Sequence, residues 1–249
     1  MPALERVSAF IQVRRRNPDT KTLNILNSSL SSWLRYYQFL SVIKGKYEQI
    51  NAAYMEAVHR QMEQMQKKAQ EAGAGTSQPV APEEWEEMQR TAKLGTQLHL
   101  EIESFYVFAN ILLDRIASTF RYYFWRKAGW SHWQLTANLG TICTKKSLKV
   151  TSNDWLKMPG ELQDQIVAYR NTRVEHVDEP RIHFATVWGP DKRAKICPIF
   201  LYPSQQEAES QQVPSGDLGT ILDLLDRYMT AMVDFFEANA DKSELPPPA

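Results

Sequence analysis

Fifty residues, Leu23 to Ala72, contain one glycine, Gly45, and no proline. So long a stretch without breakers restricts the chain to folds built on long helices. Leu26, Leu30, Leu34, Tyr37, Leu40 and Ile43 recur at steps of three and four, the spacing of a single helix face. "NSSLSSW" supplies N-cap residues partway along, which predicts a helix start near Ser28 or Ser29. The later part, "VHRQMEQMQKKAQEAG", is polar and Gln-rich. It is expected to project from the core, or to pack only through Met55, Val58, Met62 and Met65.

"GAGTSQPVAPEE" reads as a flexible connection. It ends with Pro82 ahead of Glu83 and Glu84, which suits a first helical turn because the acids lie at the positive end of the helix dipole. A second long helix is predicted from there to about Lys127, with Leu98, Ile102, Phe105, Leu112, Ile116, Phe120 and Tyr123 as its stripe. Two long helices joined by a short connection predict an antiparallel helical hairpin. Residues 131–150 give mixed signals and read as a loop with a short irregular element. "PGELQDQIVAYRNTRVEHV" reads as a further helix with Pro159 in its first turn, ended by Asp178, Glu179 and Pro180. Apolar runs on either side of "GPDK" predict a β-hairpin near 181–203, and Pro198 makes its second strand an edge. Ser215 or Asp217 caps a last amphipathic helix reaching about Asn239.

The predicted class is therefore mainly α: a helical bundle on long antiparallel helices, with one inserted β-hairpin. The expected divisions are an N-terminal helical segment over 1–72, a linker over 73–82, a bundle over 83–240 and a disordered tail over 241–249. Residues 1–240 also read as one domain.

With 43% apolar residues, the chain carries enough for a substantial core. Cys143 and Cys197 cannot build a disulfide framework, and no histidine lies at metal-ligand spacing from either, so a reducing compartment is expected. No cofactor or metal is implied. No secretory leader or membrane span is read, and the expected location is the cytoplasm.

The net charge is zero, but the charges segregate. Arg115, Arg121, Arg126, Lys127, Lys145, Lys146 and Lys149 face the single acid Asp114 across residues 114–150. Residues 14–46 are similarly basic. Two readings stand: solvated helix faces, or one anion-binding cleft formed when the two segments fold together. In "FRYYFWRKAGWSHW", Arg121, Arg126 and Lys127 alternate with tryptophans. That composition can stack bases and hold phosphates, or can form a core corner with snorkelling cations.

"YRNTRVEH" at 169–176 carries the sharpest chemistry. On a regular helix Arg170 and His176 stand roughly 120° apart around the axis and about 9 Å along it. They converge only if the helix loosens or a second subunit contributes. Histidine moves protons near neutral pH, and the arginine fork fits phosphate oxygens. Together they suit attack of a ribose 2′-OH on the adjacent phosphorus without metal. Asn171 would orient one of them, and Arg173 would hold RNA.

This stretch resembles the signature of the HEPN superfamily (higher eukaryotes and prokaryotes nucleotide-binding): an arginine, a polar residue, then a histidine. Arg170, Asn171 and His176 match it, with five residues between Arg170 and His176. The commonest form in toxins has four, and often a tyrosine soon after the histidine, where this chain has Val177. The resemblance covers roughly 83–240. It implies an all-helical fold, a homodimer and metal-independent endoribonuclease activity in RNA processing, toxin–antitoxin systems or phage defence, with RNA or an antitoxin as partner. The competing expectation is a non-catalytic module that binds a protein, a nucleotide or RNA.

Overall fold

The computed structural model describes residues 2–15, 20–72, 81–167, 182–188, 194–200 and 218–246. It is mainly helical. Among the described residues there are six α-helices, α1 (Pro2–Arg15), α2 (Thr20–Ala72), α3 (Pro82–Trp125), α4 (His132–Lys145), α5 (Asn153–Leu162) and α6 (Leu218–Ala238), together with a π-helical turn, Gln163–Val167, and a closing 3-10 turn, Ala240–Lys242. The backbone of β1 (Ile182–Trp188) and β2 (Ala194–Phe200) pairs antiparallel, Ile182 opposite Phe200 and Trp188 opposite Ala194.

The helices α2 and α3 form the antiparallel pair expected from the sequence. Lys68 meets Glu84 at one end, Gln61 donates to Thr91 at 2.9 Å, Trp33 Nε1 donates to Thr119 at 3.0 Å, and Tyr122 donates to the Thr22 carbonyl at 3.2 Å. At about 1.5 Å per residue, α3 runs some 66 Å. The first half of α2 and the second half of α3 are covered by the other helices. One buried cluster joins Val7 and Phe10 of α1, Trp33 of α2, Phe120 of α3, Trp155 of α5 and Phe236 of α6. Aromatic rings dominate it: Trp155 stacks on Phe235 at 4.1 Å and Tyr123 on Phe236 at 4.3 Å. Arg6 of α1 binds Asp234 of α6 at 2.7 Å, fixing how those two helices cross.

Several expectations are corrected. The chain is helical from Thr20, ahead of the serines proposed as caps. Ser29 Oγ lies 2.5 Å from Thr119 Oγ1, so it joins two helices rather than starting one. Residues 132–145 are a regular helix. Ser131 and Gln134 form a reciprocal capping box at its start, and Leu135, Leu139 and Ile142 are buried. Pro159 lies inside α5, because Ser152 caps that helix from Trp155 N at 3.1 Å and the buried Trp155 pulls the start inward. The tail expected to be disordered is ordered as far as residue 246: Ser243 Oγ donates to the Tyr123 carbonyl at 2.9 Å and Leu245 is buried. The proposed linker, up to residue 80, and the caps Ser215 and Asp217 lie outside the described residues.

Candidate nucleic-acid interface

Arg170, Asn171, Arg173 and His176 lie outside the described residues. The chain leading to them is described up to the π-turn. There Leu162 and Ile166 are buried, and the side chain of Gln163 reaches His132 Nδ1 at 3.1 Å. His132 sits at the start of α4, fully buried. Its backbone N–H donates to Asp114 Oδ1 at 2.8 Å, and its ring stands edge-on to Tyr228. Burial pushes the imidazole down to about 4, so it is neutral at pH 7. Gln163 Oε1 accepts, which places the proton on Nδ1 and leaves Nε2 a bare acceptor. Among the described residues neither Nε2 nor the Tyr228 hydroxyl has a partner. His132 is thus a structural pin holding the π-turn, and among the described residues no cluster of His, Cys, Asp or Glu suits a metal ion.

The basic residues come together at the other landmark, the C-terminal end of α3. Arg126 closes α3 in the left-handed region (φ 53), and its N–H caps the Tyr122 carbonyl at 2.8 Å. Its guanidinium donates to Thr22 Oγ1 at 3.0 Å, which sets the start of α2 against the end of α3. The chain then doubles back along α3. Gly129, at φ 90, donates to Ser118 Oγ at 3.2 Å, and His132 meets Asp114. From that point α4 runs forward again beside α3, and Lys146 returns to its end, donating to the Phe124 carbonyl at 2.8 Å. Asn239, past α6, takes both backbone groups of Lys149, at 2.6 and 3.0 Å.

Four stretches therefore meet at one end of the bundle: 20–24, 121–127, 143–150 and 239–246. They hold eight cations and two acids, Asp241 and Glu244. Lys21, Arg126, Lys127, Lys145, Lys149 and Lys242 are exposed. The later basic segment supplies most of this surface, and of the cations in 14–46 Lys21 joins it, while Arg35, Lys44 and Lys46 lie farther along α2.

Of the predicted RNA contacts, Arg126 and Lys127 lie on this surface. Arg121 is engaged within the fold: its guanidinium lies 5.2 Å from the Trp130 ring centre and donates to the Ala128 carbonyl at 3.2 Å. Trp125, half-buried, is covered by Lys146 at 4.5 Å and lies beside Trp130, so these rings form a corner of the fold rather than an open stacking platform. Arg14 is buried between Phe10 and Tyr123 and bonded to the Tyr123 hydroxyl at 2.9 Å. Sequence reasoning did not assign Lys21, Lys145, Lys149 and Lys242 to RNA. The signal for the first three was the charge segregation itself.

Asp114, where α4 begins, precedes Arg126 by twelve residues on α3, or about 18 Å. The π-turn, tied through Gln163 and His132 to Asp114, is thus set back from the basic end of the bundle. No protein-family model, curated protein or solved structure matches this chain.

Proposed function

We propose that this is a HEPN-like helical protein that binds RNA through the basic end of its bundle and cuts it without metal. Arg170 would hold the phosphate, His176 would move the proton, and Asn171 would orient one of them. The observation that carries the binding half is the convergence of Lys21, Arg126, Lys127, Lys145 and Lys149 from distant parts of the chain onto one exposed surface. A polyanion gains from such a surface by releasing counterions, whatever its sequence. The mainly helical architecture on a long antiparallel pair supports the cutting half, as does a π-turn just ahead of the motif, since such turns recur at functional sites. A homodimer, a cytoplasmic location, an antitoxin partner and a 181–203 hairpin inserted in the bundle belong to the same reading.

The second reading is RNA binding without cleavage. It is favoured by the distance between the basic end and the π-turn that leads to the motif.

Fluorescence anisotropy with a labelled mixed-sequence RNA of about 20 nucleotides tests binding. A site neutralising about four phosphates gives a log–log salt slope near −3. The Lys127→Glu, Lys145→Glu, Lys149→Glu triple variant should abolish binding without lowering the melting temperature. Absence of wild-type binding at low salt rejects both readings. Incubation of the same RNA in EDTA separates them: His176→Ala should stop cleavage while leaving affinity intact. Uncut RNA with wild type leaves the binding module.

A further inference from the structure

In the distal half of the α2–α3 pair, several residues facing the partner helix are followed by an apolar or small one. Ala57 precedes Val58, and Gln61 precedes Met62 on α2; Glu84 precedes Trp85, Glu87 precedes Met88, and Thr91 precedes Ala92 on α3. One residue is a rotation of about 100°, and in antiparallel helices the same rotation brings both sets to one side of the pair.

That side is the one the core occupies in the proximal half. On α3, Trp85, Met88, Ala92, Gly95 and His99 continue at steps of three and four, without a break, into Ile102, Tyr106, Ala109, Leu113, Ile116 and Phe120. The latter six are buried, with Phe120 against Phe235 of α6. On α2 the corresponding residues run from Leu30, Leu34 and Tyr37 to Met55, Val58, Met62 and Met65. The stripe is continuous but its cover is not. Beyond the reach of the shorter helices Met65 is 71% exposed, Trp85 56% and Met88 48%.

In the proximal half this two-helix surface is covered by helices α1 and α6. Its distal continuation is likewise two helices wide and fits a helix pair. The stripe carries no ionised side chain at neutral pH, since burial holds His99 below its usual range, so it can oppose a copy of itself without like-charge repulsion. The acids Glu83, Glu84, Glu86 and Glu87 crowd the tip. A pairing with both tips together would oppose two such clusters; an antiparallel pairing keeps them apart. The exposed stretch measures about 22 Å by 20 Å, or roughly 900 Å² for two copies, at the low end for specific association.

We propose that this exposed continuation of the α2–α3 stripe is the docking face for a second copy of the chain. Two hairpins pack face to face and antiparallel as a four-helix bundle. The dimer is concentration-dependent, with a dissociation constant of about micromolar order. It rests on the continuity of the stripe and holds whether or not Arg170 and His176 cut RNA.

Sedimentation velocity on the full chain from about 1 µM to about 500 µM tests it. Wild type should pass from one copy to two. Met65→Glu combined with Trp85→Glu should weaken association at least about tenfold, at an unchanged melting temperature, because both side chains are exposed in one copy. Val42→Glu, equally exposed but on the opposite side of α2, should leave association intact. A chain that stays monomeric throughout, or a Val42→Glu effect as large as that of the double variant, overturns the proposal. The Lys127, Lys145, Lys149 triple variant should dimerise as wild type does, so failure here and failure of RNA binding are distinguishable.

Discussion

Thr119 and Thr91 stand four heptads apart on α3 and do the same local work. Each donates to the carbonyl four residues earlier, at 2.7 and 2.9 Å. Each accepts from a side chain of α2, Trp33 in one case and Gln61 in the other, themselves four heptads apart. The seam between the helices is thus built with one repeat from end to end. What differs is what lies over it. Trp33 and Thr119 are fully buried beneath α1 and α6, whereas Gln61 is half-exposed beside the bare Met–Trp stripe. Helix pairing sets the register of the hairpin, and burial by the remaining helices sets its stability.

The largest test of that contrast is amide hydrogen exchange. At low micromolar concentration the amides of 102–123 should exchange at least about a thousandfold more slowly than those of 84–95 in the same helix. Equal protection would erase the distinction. Raising the concentration should slow the distal amides alone if a second copy covers them.

Next come truncations. Phe236→Ala removes a ring packed against Phe10, Trp33, Tyr123 and Phe124, and should cost about 4 kcal/mol in denaturant titration. Met88→Ala should cost less than about 0.5 kcal/mol.

The third test uses pH. Folded His132 titrates near 4, below its ordinary 6.5. As pH falls through 6.5 the unfolded chain takes up a proton that the folded chain refuses. Stability should therefore decline from pH 6.5 to about 4, by about 3 kcal/mol in total from this group. His132→Gln should remove that slope in urea titrations across the range, and an unchanged slope would assign it to other groups.

The smallest effect compares the two threonines. Thr119→Val strands the Trp33 indole N–H and should cost about 2 kcal/mol, whereas at Thr91 the same change leaves a solvated Gln61 and should cost under about 1 kcal/mol.

The hairpin was legible because its signals are local. Pro82, Glu83 and Glu84 mark the start of α3, and the apolar steps carry it to within two residues of its end at Trp125. One helix, α4, escaped, and α1 was read only as part of the helical segment over 1–72, for different reasons. The apolar face of α1 runs through Val7, Phe10 and Ile11 into Arg14, whose burial among rings gives it a core position that its charge disguises. The signals of α4, Ser131 with Gln134 and the steps Leu135, Leu139 and Ile142, were present but lay among glycine, threonine and tryptophan residues of weaker preference. Ser29 shows the limit of cap reading, since a serine that bonds across a seam has the same local sequence as one that begins a helix. At the basic end, composition identified the cations. Which of them face outward depends on the return of residues 126–132 along α3, a tertiary path that no local pattern encodes.

Because α3 is continuous, it also acts as a ruler. Arg126 lies about 54 Å along the helix from the middle of the exposed stripe. In the antiparallel dimer two basic ends would point away from each other, about 100 Å apart. Such an assembly gains no avidity on a short RNA, which reaches one end only. It would hold two separate RNAs, or two distant sites on a long one, at a set spacing.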